Sequence, residues 1–165
     1  MGKDSKLGIE GVYIVALALL IMLLVFTCED ADAIEFEAGP GLLSGEYSEG
    51  GALIFSGEFA NRWHLGGGYV SKQTCHCNQP ADLRENIFFE VQRRAQWRAV
   101  QIGIGPAYWQ NTNRALGKNL TWSLMLGLKF DRLSVRFRHY SNAGSGTPNL
   151  GQDMVTIGWR FGDGP

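Results

Sequence analysis

The sequence predicts an all-β chain: an eight-stranded antiparallel transmembrane β-barrel. Three observations carry that reading. From Ile34 onward the chain falls into eight stretches in which apolar and polar or small residues alternate with a period of two. No stretch of helical periodicity competes with them. The segments between them alternate strictly between long and short, as in an outer-membrane barrel with long extracellular loops and short periplasmic turns. Composition agrees: 22 glycines, 12% aromatics and a mean hydropathy of −0.09 suit alternating strands and argue against a helical membrane bundle.

The N-terminal segment is read separately. Lys3 and Lys6 precede an apolar run over 12–26, and Ala31-Asp32-Ala33 offers a small-x-small cleavage site. This is the pattern of a secretory signal peptide, so residues 1–33 are expected to be cleaved and 34–165 to form the barrel. A retained anchor is the competing reading, but the run is short against the roughly 20 residues a spanning helix needs. Cys28 could suggest lipoprotein processing, yet Phe26 and Thr27 fit that signal poorly. Removal of the peptide leaves two cysteines, Cys75 and Cys77.

The eight segments follow in order. The first covers 34–43 and the second 51–60, where Leu53, Phe55 and Phe59 oppose Ile54, Ser56 and Glu58. The third, 62–72, sets Trp63, Leu65 and Tyr69 on one face. The fourth, 85–95, sets Ile87, Phe89 and Val91 against Phe88, Glu90 and Gln92. In the fifth, 98–109, Val100, Ile102, Ile104 and Tyr108 oppose Ala99, Gln101, Gly103 and Gly105. In the sixth, 120–130, five bulky residues from Trp122 to Phe130 oppose Ser123, Met125, Gly127 and Lys129. The seventh puts Val135, Phe137, His139 and Ser141 on one side and Arg136, Arg138 and Tyr140 on the other. In the eighth, Asp153, Val155, Ile157, Trp159 and Phe161 oppose Thr156, Gly158 and Arg160.

The bulky face suits hydrocarbon, and the face of arginines, glutamates and small residues suits a narrow lumen. Glu35, Glu37, Glu58 and Glu90 are expected to meet Arg136, Arg138, Arg160 and Lys129 there as an ion-pair network. Trp63, Trp97, Trp159 and Phe161 should mark the periplasmic rim, and Tyr69, Tyr108 and Trp122 the outer one. The alternative is a soluble barrel or sandwich with these aromatics in its core. The long links, 44–50, 73–84, 110–119 and 142–152, are expected outside the cell, near Tyr47, Asn78, Arg114 and Thr147. The turns near Asn61, Gln96 and Asp131 are expected in the periplasm.

In this frame His139, Ser141 and Asp153 fall on the hydrocarbon side near the outer leaflet, where polar side chains are costly and usually functional. Serine is a weak nucleophile until a neighbouring base takes its proton, and the base works best when a third group fixes its tautomer. An i, i+2 pair on one strand face brings Ser141 within reach of His139, and a carboxylate on the next strand can meet the imidazole from its other side. His-x-Ser spacing alone is a weak signal. Three polar groups where aliphatics belong is a stronger one.

RHYSNAG followed by TPNLGQD, within 136–153, resembles the lipid A 3-O-deacylases of Gram-negative outer membranes. Outside that stretch the likeness is confined to length, signal peptide and strand pattern. The resemblance implies an eight-stranded barrel that hydrolyses the ester-linked 3-hydroxyacyl chain at position 3 of lipid A. It implies Ser141 as nucleophile, His139 as base, and Asp153 where the family carries glutamate. It also implies an oxyanion hole at Asn149, with backbone N–H groups around Asn142, Ala143 and Gly144. The partners implied are lipopolysaccharide and the outer membrane, and a second copy of the chain is admissible. No cofactor and no metal is required. Aspartate for glutamate shortens the reach to His139 by one methylene.

Two other classes stay open: a non-enzymatic structural or adhesin-like barrel, and a lipid A acyltransferase. A net charge of −1 gives no electrostatic case for nucleic acid. Cys75-His76-Cys77 falls short of a zinc ligand set, so a loop disulfide or free thiols are the plainer readings.

Overall fold

A computed structural model describes residues 33–43, 46–59, 62–73, 84–112, 115–145 and 151–162, the side chains of 42–43 and 46–49 excepted. The expected signal segment lies outside these residues apart from Ala33, as do Asn61, Cys75, His76, Cys77, Asn78, Arg114, Thr147 and Asn149.

The strands are β1 (Ala33–Leu43), β2 (Glu46–Phe59), β3 (Trp63–Val70), β4 (Asn86–Trp97), β5 (Val100–Trp109), β6 (Leu120–Phe130), β7 (Leu133–Ser141) and β8 (Gln152–Phe161). Each pairs antiparallel with its sequence neighbour, and β1 pairs with β8 to close the barrel. Closure leaves no strand with unpaired backbone groups facing lipid, the condition for a sheet to cross a membrane. Burial alternates residue by residue along β5, β6 and β7, as the sequence pattern requires. Among the described residues no helix is long and apolar enough to cross a membrane, which bears on helices only.

One boundary departs from expectation. The first link was expected over 44–50, but Glu46–Gly50 are strand, and β1 pairs with β2 up to Leu43↔Glu46. The polar, glycine-containing run EYSEG reads as a turn, yet strand pairing is made by backbone groups that polar residues carry as well as apolar ones. At the opposite end, Asp131 lies in the turn between β6 and β7, while Gln96 is still strand and the β4–β5 turn is formed by Arg98 and Ala99. Arg98 and Asp131 take φ of 53° and 54°.

The outward face is a belt of Ile102, Ile104, Leu124, Leu126, Leu128, Val135, Phe137 and Ile157, all exposed. Trp63, Trp97, Trp159 and Phe161 at one rim and Tyr108 and Trp122 at the other are exposed as well. In a soluble barrel such residues would turn inward.

The interior is filled in two layers. One is polar. Glu37, fully buried, accepts from Arg136 (2.7 Å), Arg138 (2.6 Å) and Thr156 Oγ1 (2.6 Å). Glu35 accepts from Ser134 and Arg94, and Glu90 from Gln92, Ser123 and Tyr140. Arg160 meets Glu58 at 3.1 Å. Arg94 is the member of this network that the sequence reading did not include; Lys129 is half-buried. Buried charges persist only when paired, and each of these faces an opposite charge.

The second layer is aromatic and lies behind the outer end of β7. Phe88 stacks on Trp109 at 4.7 Å between centroids, and Tyr140 packs edge-on to Phe88 (5.2 Å) and Trp109 (5.1 Å). Gly68 makes room for this cluster, since a Cβ there would lie 2.4 Å from the Phe88 ring. The aromatic layer backs His139 and Ser141 with a rigid wall.

Candidate active site

β7 and β8 position the site. Their ladder sets His139 directly opposite Asp153, and the β6–β7 ladder sets Leu124 opposite His139 and Trp122 opposite Ser141. Directly opposed residues have Cβ atoms about 4.5–5.5 Å apart, short enough for an aspartate to reach an imidazole. It does: His139 Nδ1 and Asp153 Oδ1 are 2.6 Å apart, the length of a charge-assisted hydrogen bond. Direct cross-strand register is what lets so short a side chain reach the ring.

The two partners differ in environment. The His139 side chain is 38% exposed on the outer face, whereas that of Asp153 is 13% exposed. Asp153 keeps the outward phase of Val155 and Ile157 but lies under its partner instead of opening to hydrocarbon. A carboxylate held there is shielded from lipid and still touches the imidazole. With Nδ1 committed to Asp153, Nε2 is the nitrogen left to act as a base.

Ser141 follows on the same strand face, half-buried beside Trp122. Among the described residues, the side-chain partner of His139 is Asp153 and not Ser141. Catalytic hydrogen bonds are often long in the absence of substrate, and i, i+2 placement on one face keeps the pair within reach.

The chain then turns sharply. Asn142 and Ser145 bracket a turn in which Ala143 and Gly144 take φ of 52° and 76°, and Ser145 N–H donates to Asn142 O at 3.0 Å. Positive φ at both central residues is the type I′ signature. Asn142 is buried. Its Oδ1 accepts from Gly144 N–H at 3.0 Å, and its Nδ2 donates to Leu116 O at 2.9 Å. The side chain of Asn142 and the N–H of Gly144 are therefore engaged in shaping the turn. Of the expected oxyanion donors, Ala143 lies at the turn's crest and Asn149 lies outside the described residues.

Two features escaped the sequence reading. Residues 115–116, in the β5–β6 connection, are buried against this site: Ala115 O accepts from Gly151 N–H at 2.9 Å and Leu116 O from Asn142. Gly151 has φ +81° and abuts the His139 ring. The available signal was the glycine two residues before Asp153 in TPNLGQD. Among the described residues no group of three or more His, Cys, Asp or Glu could hold a metal ion.

Comparison with known proteins bears on the family and the fold. Residues 46–162 match the family model described as lipid A 3-O-deacylase (PagL). A solved structure described as that of the outer membrane enzyme PagL superposes with a TM-score of 0.52 at 20% identity, covering 79% of this chain and 99% of the other. Comparison with curated protein sequences finds no match.

Proposed function

As the chain belongs to the lipid A 3-O-deacylase (PagL) family, we propose that it removes the 3-hydroxyacyl chain esterified at position 3 of lipid A by a serine esterase mechanism in the outer leaflet. The observation that carries the mechanism is the 2.6 Å His139–Asp153 contact on the lipid-facing side of β7 and β8, beside Ser141. A structural barrel has no use for an oriented imidazole on its hydrocarbon face, where polar groups are expensive.

In the proposed reaction, Ser141 Oγ attacks the ester carbonyl carbon while His139 Nε2 takes the hydroxyl proton. Asp153 holds the Nδ1–H tautomer and offsets the charge of the imidazolium that forms. The oxyanion of the tetrahedral intermediate is held by Asn149 and by backbone N–H groups at the Asn142–Gly144 turn, of which Ala143 is the best placed. Each such donor is worth about 10²–10³ in rate. The bond between the acyl carbon and the sugar oxygen breaks, and that oxygen leaves on the sugar with the proton from His139. Water, activated by the same imidazole, then attacks the acyl-enzyme and releases the 3-hydroxy fatty acid and free Ser141.

The substrate reaches the site laterally. Acyl chains lie in the same plane as Trp122, Leu124 and Val155, so no channel through the barrel is needed. The test is mass spectrometry of lipid A from Gram-negative cells expressing the protein. Loss of one 3-hydroxyacyl chain from position 3 is expected. Unaltered lipid A from cells with folded protein in the outer membrane would refute the reading, and an acyl chain appearing on another lipid would make the enzyme a transferase.

A further inference from the structure

We propose that Gly151 is a positioning residue for this reaction: its Cα, with the Ala115 carbonyl that anchors it, forms the stop against which the His139 imidazole is seated. The inference rests on the function proposed above and concerns a residue outside the Ser/His/Asp set.

Three observations converge. Gly151 adopts φ +81°, a left-handed conformation that L-residues other than Asn and Asp rarely take. Its N–H donates to Ala115 O at 2.9 Å, so this backbone is held by the β5–β6 connection rather than by the β7–β8 ladder. A Cβ built on Gly151 would lie 2.6 Å from His139 Cε1 and about equally far, 3.4 and 3.5 Å, from Nδ1 and Nε2. The glycine therefore faces the carbon between the two nitrogens. It borders the C–H edge between the two nitrogens and leaves Nδ1 to Asp153 and Nε2 to the proposed nucleophile.

The brace is continuous. The carbonyl of the next residue, Leu116, accepts from Asn142 Nδ2 at 2.9 Å, and Asn142 follows Ser141. One buried dipeptide, Ala115-Leu116, thus ties the approach to the acid on β8 to the residue after the nucleophile on β7. The β5–β6 connection becomes part of the active site without contributing a reacting group.

Carbon atoms in contact settle at about 3.5 Å or more, so a Cβ at residue 151 must displace the ring by about 1 Å. A misplacement of that size costs about a hundredfold in rate when it falls on a reacting group. The test compares Gly151→Ala with Gly151→Asn. Both carry the offending Cβ, and asparagine tolerates positive φ, so it separates ring displacement from backbone strain. Purified protein in detergent is assayed for 3-hydroxy fatty acid released from lipopolysaccharide, with heat-modifiable gel mobility as the control for a folded barrel.

Both variants should fold, lose about a hundredfold in kcat and keep KM within about twofold. Adding Asp153→Glu should then recover about tenfold, because the longer acid can follow a displaced imidazole; with Gly151 in place the same change should lose severalfold. Folded variants with wild-type kcat would overturn the assignment. So would a fall in kcat that Asp153→Glu does not relieve, or failure of both variants to fold, which would make Gly151 a folding determinant only. Inactive wild-type protein would instead strike at the proposed function itself.

Discussion

Removing the carboxylate from Asp153 tests the site most directly. The structure supplies one 2.6 Å hydrogen bond between His139 and an aspartate whose side chain is 13% exposed. A hydrogen bond to a charged group in such a setting contributes about 1.5–3 kcal/mol. At 1.36 kcal/mol per decade, its loss from the transition state slows the reaction by about ten- to two-hundredfold, the expectation for Asp153→Ala. Asp153→Asn should be at least as slow. It keeps the shape of the acid, but an amide nitrogen facing Nδ1 drives the imidazole proton onto Nε2 and removes the base, an effect worth up to about 10⁴ where a triad acid has been so changed. The assay is the rate of 3-hydroxy fatty acid release from lipopolysaccharide, with lipid A mass spectra to identify the product and gel mobility to confirm the barrel. Wild-type turnover in folded Asp153→Asn would refute the reasoning and reduce the site to Ser141 and His139.

Three further outcomes are expected. Ser141→Ala should abolish deacylation yet change stability by no more than about 0.5 kcal/mol, since the hydroxyl lies on the outer face with no packing role; a mutant that still removes the 3-hydroxyacyl chain would sink the nucleophile assignment. Glu37→Gln should destabilise the barrel by about 3–5 kcal/mol, because it leaves Arg136 and Arg138 buried with one anion fewer, and an unchanged urea midpoint in refolding would show the network to be energetically idle. In a background lacking Cys75 and Cys77, Lys118→Cys should react with an impermeant thiol reagent on intact cells and Asp131→Cys should not; the reverse pattern would put Ser141 in the inner leaflet, away from lipopolysaccharide.

The barrel was legible in the sequence because its one physical requirement is written residue by residue. A wall between hydrocarbon and a narrow lumen needs bulky residues on one parity and small or charged ones on the other, and β5 to β8 obey that almost without exception. Hairpin ends were less legible: Glu46–Gly50 are strand despite a composition that reads as turn, since the backbone groups that pair are the same whatever the side chain. The ion pairs could be anticipated from facing charges. The place of Arg94 and the Phe88–Trp109–Tyr140 cluster could not, because alternation tells which face a residue takes but not its height along the barrel axis.

The same distinction explains the site. His139, Ser141 and Asp153 could be read as three polar intrusions into an apolar face, but parity alone does not say whether an acid on β8 meets a base on β7. Register decides it. The ladder sets His139 directly opposite Asp153, the closest approach two strands allow, and the acid lies under the imidazole where its charge is shielded from lipid. An aspartate is long enough in that arrangement to reach Nδ1. The ring lies close to the backbone that precedes β8, where a Cβ would collide with it and Gly151 carries none. The proposed base is thus held by direct register on its Nδ1 side and bordered by bare backbone at Cε1, with Nε2 left for the proposed nucleophile.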